Sequence, residues 1–222
     1  MGLQATRWMQ SEADDWHRRN VDKLDTTYDP VLISIIESKI IYGAEVDAVF
    51  EVGCGNGYRL AWLRDSLMCR CWGCDLSKEA IAHGLRTYGD KNLQIGWREA
   101  KNLKGIPTQG FDLVIYGFCL YQCDPEDLFQ IVREGDRILK DGGHLIIYDF
   151  LPDHPHSRNY KYDRALRTYK HDYAKLWLAH PAYSVAYQKI FPHEADEEIN
   201  HDTRVAVTIL KKNVEGGFPL EP

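Results

Sequence analysis

Residues 48–53 form a short apolar run, Gly53, Gly55 and Gly57 fall at alternate positions, and Leu60, Leu63 and Leu67 then recur at helical spacing. A buried strand, a tight turn and a helix satisfy that order, because glycine lets the chain turn sharply and lets a ligand approach the backbone without meeting a Cβ. The same alternation continues downstream. Residues 69–75 read as a second strand, followed by Ser77 as the cap of a helix that carries Ala80, Ile81 and Leu85. Residues 93–99, 111–116 and 144–149 supply three further strands, 128–139 a helix, and Asp141-Gly142-Gly143 a turn into the last of these strands. Strands alternating with helices at this pitch imply a parallel sheet with right-handed crossovers.

After Asp149 the regularity changes. Residues 151–157 hold two prolines and two histidines, and Tyr162, Leu166, Tyr169, Tyr173 and Trp177 then recur three or four residues apart, which predicts an amphipathic helix. Residues 183–191 and 204–210 predict two more strands, separated by the polar, acidic stretch 193–202. The first twenty residues are polar and aromatic at once, as suits either a mobile arm or a lid.

The net charge of −6 leaves no diffuse positive field to gather phosphates, which makes nucleic acid an unlikely partner. The absence of an apolar run of about 18 residues argues against a membrane span, and with no apolar leader a cytoplasmic location is expected. The cysteines are then reduced thiols. Cys69, Cys71 and Cys74 lie in an apolar run where Cys acts as a small hydrophobe, and His193, Glu194, Asp196 and His201 read as a solvated loop, so no metal is assigned.

Glu51-Val52-Gly53-Cys54-Gly55-Asn56-Gly57 sits at the first strand-to-helix turn, and Asp75 ends the second strand, where a carboxylate can accept from both hydroxyls of a ribose. The run is G-x-G-x-G where a dinucleotide site has G-x-G-x-x-G, and an acidic residue opens it. A carboxylate there opposes a pyrophosphate and suits a cation. S-adenosylmethionine joins an adenosine to a positive amino-acid end, and its ammonium would meet Glu51 directly or through water. A nicotinamide-dependent dehydrogenase and a protein that binds S-adenosylmethionine without turnover are the competing readings.

Across roughly residues 30–150 the chain resembles the class I S-adenosylmethionine-dependent methyltransferases. The resemblance implies a doubly wound, Rossmann-like, mostly parallel seven-stranded sheet flanked by helices, in the order 3-2-1-4-5-7-6 with the seventh strand antiparallel. It places Glu51, Gly53, Cys54, Gly55, Asn56 and Gly57 on the cofactor's methionine and adenosine, Asp75 with Leu76 on the ribose, and Glu99-Ala100 against the adenine. Tyr116, Gly117 and Phe118 would lie beside the transferring methyl group, and Leu139-Lys140-Asp141-Gly142-Gly143 would lead into strand five. Residues 1–222 then form one domain: an arm or lid over 1–28, a cofactor-binding core over 29–150, an acceptor-binding insertion over 151–182 and terminal strands over 183–222.

Methyl transfer is an in-line displacement from an already activated leaving group, so positioning dominates. A hydroxyl acceptor would still benefit from a base, for which Asp149 and His154 are the candidates, with Asp149 equally readable as a cap. Tyr121, His156, Tyr160, Tyr162 and Tyr173 are the candidates for holding a small polar acceptor, with a sugar-like molecule and O-methylation preferred; the same tyrosines also suit plain packing. Protein or RNA substrates stay open as alternatives. Residues 116–119, Tyr-Gly-Phe-Cys, lack the Asn-Pro-Pro-Tyr type of motif of amino-methylating enzymes that act on bases. A homodimer is compatible with this reading.

Overall fold

The computed structural model describes residues 2–24, 29–41, 45–194 and 196–220, so the expected arm boundary at residue 28 lies outside the described residues. The strands among the described residues are β1 (Ala48–Val52), β2 (Arg70–Asp75), β3 (Leu93–Trp97), β4 (Phe111–Gly117), β5 (Leu139–Phe150), β6 (His156–Asn159), β7 (Arg167–Lys170), β8 (Tyr183–Pro192) and β9 (Arg204–Lys212). Seven of them form one sheet in the order β3-β2-β1-β4-β5-β9-β8. Strands β1 to β5 pair in parallel, and β9 runs antiparallel between β5 and β8. This is the order the resemblance implies.

The central strand β1 is buried at every residue, the continuous burial expected of a parallel strand covered on both faces. The α-helices among the described residues are α1 (Leu3–Arg7), α2 (Ala13–Asn20), α3 (Pro30–Ser38), α4 (Tyr58–Leu67), α5 (Lys78–Tyr88), α6 (Leu128–Ile138) and the short α7 (Ala174–Leu178) and α8 (Val214–Gly217). Helices α4 and α5 pack on β2 and β3, α6 on β4 and β5, and α3 on β5, β8 and β9. Local chemistry starts two of them. Asp29 caps α3 by accepting from Leu32 N–H at 3.0 Å, with Pro30 in the first turn, and Ser77 caps α5 by accepting from Ala80 N–H at 2.9 Å.

Two local expectations are corrected. The stretch expected as a helix from Tyr162 to Trp177 is instead the turn and second strand of the antiparallel hairpin β6–β7, followed by α7. Leu166 and Tyr160 are buried against Trp8 and Ala13 from the chain's beginning, a long-range contact that overrides the local spacing. The residues expected as a turn at Asp141-Gly142-Gly143 belong to β5. The β4–β5 register shifts between Phe111 and Leu113, and Gly142, at φ 76°, takes up the irregularity. Among the described residues no helix is long and apolar enough to cross a membrane.

Candidate cofactor and acceptor site

The turn after β1 opens a cavity of about 290 Å³ along the carboxyl edge of the sheet. Gly53 takes a φ of 71°, which a side chain resists, and a Cβ there would stand 2.7 Å from the Cβ of Cys119. The amides of Gly53 and Cys54 both donate to the carbonyl of Cys74, at 2.8 and 3.0 Å, which ties the turn to the end of β2. Gly55 lines the cavity, and a Cβ built on it meets nothing within 4 Å, so its backbone borders open space. Cys54 and Asn56 line the same wall, whereas Gly57 is the residue from which α4 starts.

Asp75 lines the cavity as well, one oxygen accepting from Gly55 N–H at 2.8 Å and the other from Ser77 N–H at 2.7 Å. Burial raises its pKa, and these backbone donors pull the other way. Leu76, Glu99 and Ala100 complete this side, with Trp97 Nε1 donating to the Leu76 carbonyl at 3.0 Å.

Glu51 sits behind the wall. It is fully buried, and its Oε1 accepts from Arg59 Nη1. Arg59 also donates to Asp29, from Nε at 3.0 Å and from Nη2 at 2.9 Å, and Tyr58 donates its hydroxyl to the same carboxylate. Burial pushes the Glu51 carboxyl up to about 7 against the pull of Arg59, and its Oε2 is buried without a hydrogen-bond partner. Arg59 borders the cavity yet is engaged by two carboxylates, so it does not offer a free cation to a pyrophosphate.

The beginning of the chain forms the roof. Helix α1, a π-helical turn over Trp8–Glu12 and α2 run across the opening, and Ala5, Trp8, Ala13, Trp16, His17 and Leu24 line the cavity with the glycine turn. The arm is held at both ends. Asp124 accepts from the amides of Gln4 and Ala5 at 3.2 and 2.9 Å, and Gln4 exchanges hydrogen bonds with the Arg167 backbone at 2.7 and 2.8 Å. At the other end Asp14 accepts from the Ser77 hydroxyl at 2.7 Å and from Glu79 N–H at 3.0 Å. The segment thus lies over the cavity as its roof.

A cavity with a glycine-turn wall, a carboxylate at the end of the second strand and an Arg59 already engaged by two carboxylates fits an adenosine that carries a positive tail. Residues 50–147 match the family described as a methyltransferase domain. That stretch is therefore a methyltransferase domain, set in the fold shared by S-adenosylmethionine-dependent methyltransferases. Among solved structures the chain is similar to the Burkholderia thailandensis 1,6-didemethyltoxoflavin-N1-methyltransferase with bound 1,6-didemethyltoxoflavin and S-adenosylhomocysteine, at 15% identity, covering 96% of this chain and 91% of that chain with a TM-score of 0.72. It is similar also to the Haloferax volcanii protein solved in complex with the Trm112 methyltransferase activator, at 18% identity, 92% and 97% coverage and a TM-score of 0.65. A Methanosarcina mazei S-adenosylmethionine-dependent methyltransferase aligns at 19% identity, 82% and 98% coverage and a TM-score of 0.62. No curated protein matches the chain by sequence.

Several side chains singled out in the sequence lie off the cavity. Tyr116 is buried against Trp177 with its hydroxyl donating to the Ile131 carbonyl at 3.2 Å, and it is the next residues, Gly117, Phe118 and Cys119, that line the cavity. None of Tyr121, His154, His156, Tyr160, Tyr162 and Tyr173 is on the wall. Tyr160 donates to Glu12 at 2.8 Å and Tyr162 lies under the Arg19 guanidinium at 4.0 Å, so both hold the lid from outside. Tyr121 is packed on Phe150, and Tyr173 donates to the Tyr169 carbonyl. His154 and His156 stand together with His201, away from the wall. Phe118 is where the resemblance put it, and the wall residues missed in the sequence include Trp8, Trp16 and His17 of the roof and Cys119, Gln122 and Tyr148 of the sheet edge. The aromatic content of the first twenty residues was the available signal.

Asp149 is buried and accepts from the amides of Leu120 at 3.0 Å, Tyr121 at 3.2 Å and Phe150 at 2.8 Å, the geometry of a loop cap. Burial raises its pKa to about 7, opposed by those three amides. A carboxyl whose folded pKa lies above its unfolded value holds a proton in the folded state that the unfolded chain has lost, so stability falls as pH rises from the unfolded pKa through about 7. Wild-type unfolding free energy is therefore expected to drop between about pH 6 and about pH 8 by on the order of 1 kcal/mol more than that of Asp149→Asn. Urea melts at both pH values check this, and parallel curves for the two proteins would remove Asp149 as the titrating group.

Proposed function

We propose that the enzyme methylates a small, ring-bearing polar molecule enclosed between the lid and the sheet edge. The observation that carries this reading is the shared wall: Trp8 and Trp16 from the lid face the same cavity of about 290 Å³ as Phe118 and Tyr148 from the ends of β4 and β5. A roofed cavity of that size suits small ligands, for which pockets of roughly 300–1,000 Å³ are usual, and not an extended polymer. The glycine turn, Asp75, Leu76, Glu99 and Ala100 bind S-adenosylmethionine, and Glu51 Oε2 is left to accept, through water, from its amino-acid end. When bound, the cofactor supplies a methyl group already activated on a sulfonium. The chain's part is to orient the acceptor with Phe118, Gln122 and Tyr148, and to exclude water with the lid.

An O-methylation with Asp149 or His154 as base loses its support, because neither residue is on the wall. Without a base from either, the reading favours an acceptor whose lone pair is available without deprotonation, such as a ring nitrogen. The Burkholderia neighbour is an N1-methyltransferase. The test is a transfer assay with methyl-labelled S-adenosylmethionine against sets of ring-nitrogen compounds, sugars, total RNA and protein. Label in the first set is expected; label in sugars would restore the oxygen reading, and label only in RNA or protein would overturn the small-molecule one.

A further inference from the structure

Outside the cavity, the residues around His154 form a second constellation. The ring centroids of His154, His156 and His201 lie 5.6, 5.4 and 5.3 Å apart, nearly an equilateral triangle, and one ligating nitrogen from each falls within 4.8 Å of the other two. Three imidazoles on a tetrahedral zinc ion, with Zn–N about 2.05 Å and each nitrogen about 1.15 Å from its ring centre, have centroids about 5.2 Å apart. The ring centres already have that spacing, and the donor nitrogens, within 4.8 Å of one another, would close to about 3.3 Å around the ion.

We propose that His154, His156 and His201 bind one zinc-class transition-metal ion, with a water completing a tetrahedral set. Nitrogen donors alone select zinc, copper or nickel over magnesium and calcium, which take oxygen. Two further observations point to a ligand. His201 Nδ1 is buried and has no hydrogen-bond partner, an unsatisfied polar atom that coordination would satisfy. His156 has Nε2 3.0 Å from Asp202 Oδ1 and Nδ1 3.1 Å from the His154 carbonyl oxygen. A neutral ring carries one proton; placed on Nε2 toward the carboxylate, it leaves the Nδ1 lone pair facing a carbonyl, a mismatch that metal ligation with a small turn of the ring relieves. A carboxylate behind a ligating histidine is the usual outer support of such sites. The nearby cations are already paired: Lys170 and Arg158 with Asp202, at 2.9 and 3.0 Å, and Arg204 with Asp153 at 2.5 Å.

The site joins the segment between β5 and β6 to the loop before β9, at the sheet edge where Phe150 pairs with Val205. That loop begins with His193, whose ring stacks on Phe118 of the cavity wall. An ion held there therefore fastens the outer support of that wall. The binding claim does not depend on the acceptor reading above.

Calorimetric titration of tag-free, chelator-stripped, full-length protein with zinc chloride is expected to give one equivalent bound with a Kd of about 10 μM or tighter, close to 7 kcal/mol. His154→Ala and His201→Ala should each weaken binding at least tenfold with unchanged circular dichroism. Cobalt substitution should give a tetrahedral visible spectrum without a thiolate charge-transfer band. Binding weaker than about 1 mM, binding unaffected by His201→Ala, or a thiolate band abolished in Cys69→Ser would each overturn the proposal.

Discussion

Arg59→Met is expected to lower the unfolding free energy by about 3–5 kcal/mol, the usual cost of stripping one partner from a buried ion pair. Here the single guanidinium serves two buried carboxylates, Asp29 and Glu51, so its removal leaves both without a counter-charge in a site that burial already makes unfavourable for Glu51. The loss spreads, because Asp29 also caps α3 and accepts from Tyr58, and Gly117 is packed directly against Arg59 and Glu51. Arg59→Lys keeps the charge but not the fork that reaches both partners, and should fall between the two. Urea unfolding followed by tryptophan fluorescence reads the difference. A loss below about 1 kcal/mol for the Met variant would mean that the triad is solvated or neutral in solution.

Asp75→Ala is expected to weaken S-adenosylhomocysteine by about 1–3 kcal/mol, roughly 5-fold to 150-fold in Kd, the range for hydrogen bonds to a charged acceptor. The carboxylate has two roles, since it organises the glycine turn through Gly55 N–H and the start of α5 through Ser77 N–H while facing the cavity. Asp75→Asn keeps the volume and one acceptor, so a smaller loss is expected there. Equal affinities for wild type and the Ala variant would show that the ribose is held elsewhere.

The core from β1 to β5 was legible because each strand is a short apolar run closed by glycine, aspartate or serine, local chemistry that needs no distant partner. The glycine-turn wall of the cavity followed, since Gly53, Gly55 and Asp75 each need a specific backbone or charge at a strand end. The acceptor side did not follow. Tyr162, Leu166, Tyr169, Tyr173 and Trp177 are spaced like a helical stripe, yet Leu166 packs under Trp8 and Trp177 against Tyr116, so their regularity serves two separate contacts. The lid is fixed by Gln4 with the backbone of Arg167 and by Asp14 with Ser77, pairs far apart in sequence that carry no periodic signal. Asp29-Pro30 ahead of an apolar run was a readable helix start at α3 that periodicity alone passed over. Asp149 shows the limit from the other side: a carboxylate at a strand's carboxyl end reads equally as a base or a cap, and its three amide donors are invisible in the sequence.

The central claim is that the roofed cavity beside Gly55 and Asp75 binds an adenosine with a positive tail and not a dinucleotide. Calorimetric titration of the wild-type protein with S-adenosylhomocysteine, alongside NADH, tests it most directly. The account predicts micromolar affinity for the first, about 8 kcal/mol, and none for the second; preferential binding of NADH, or of neither, would contradict it.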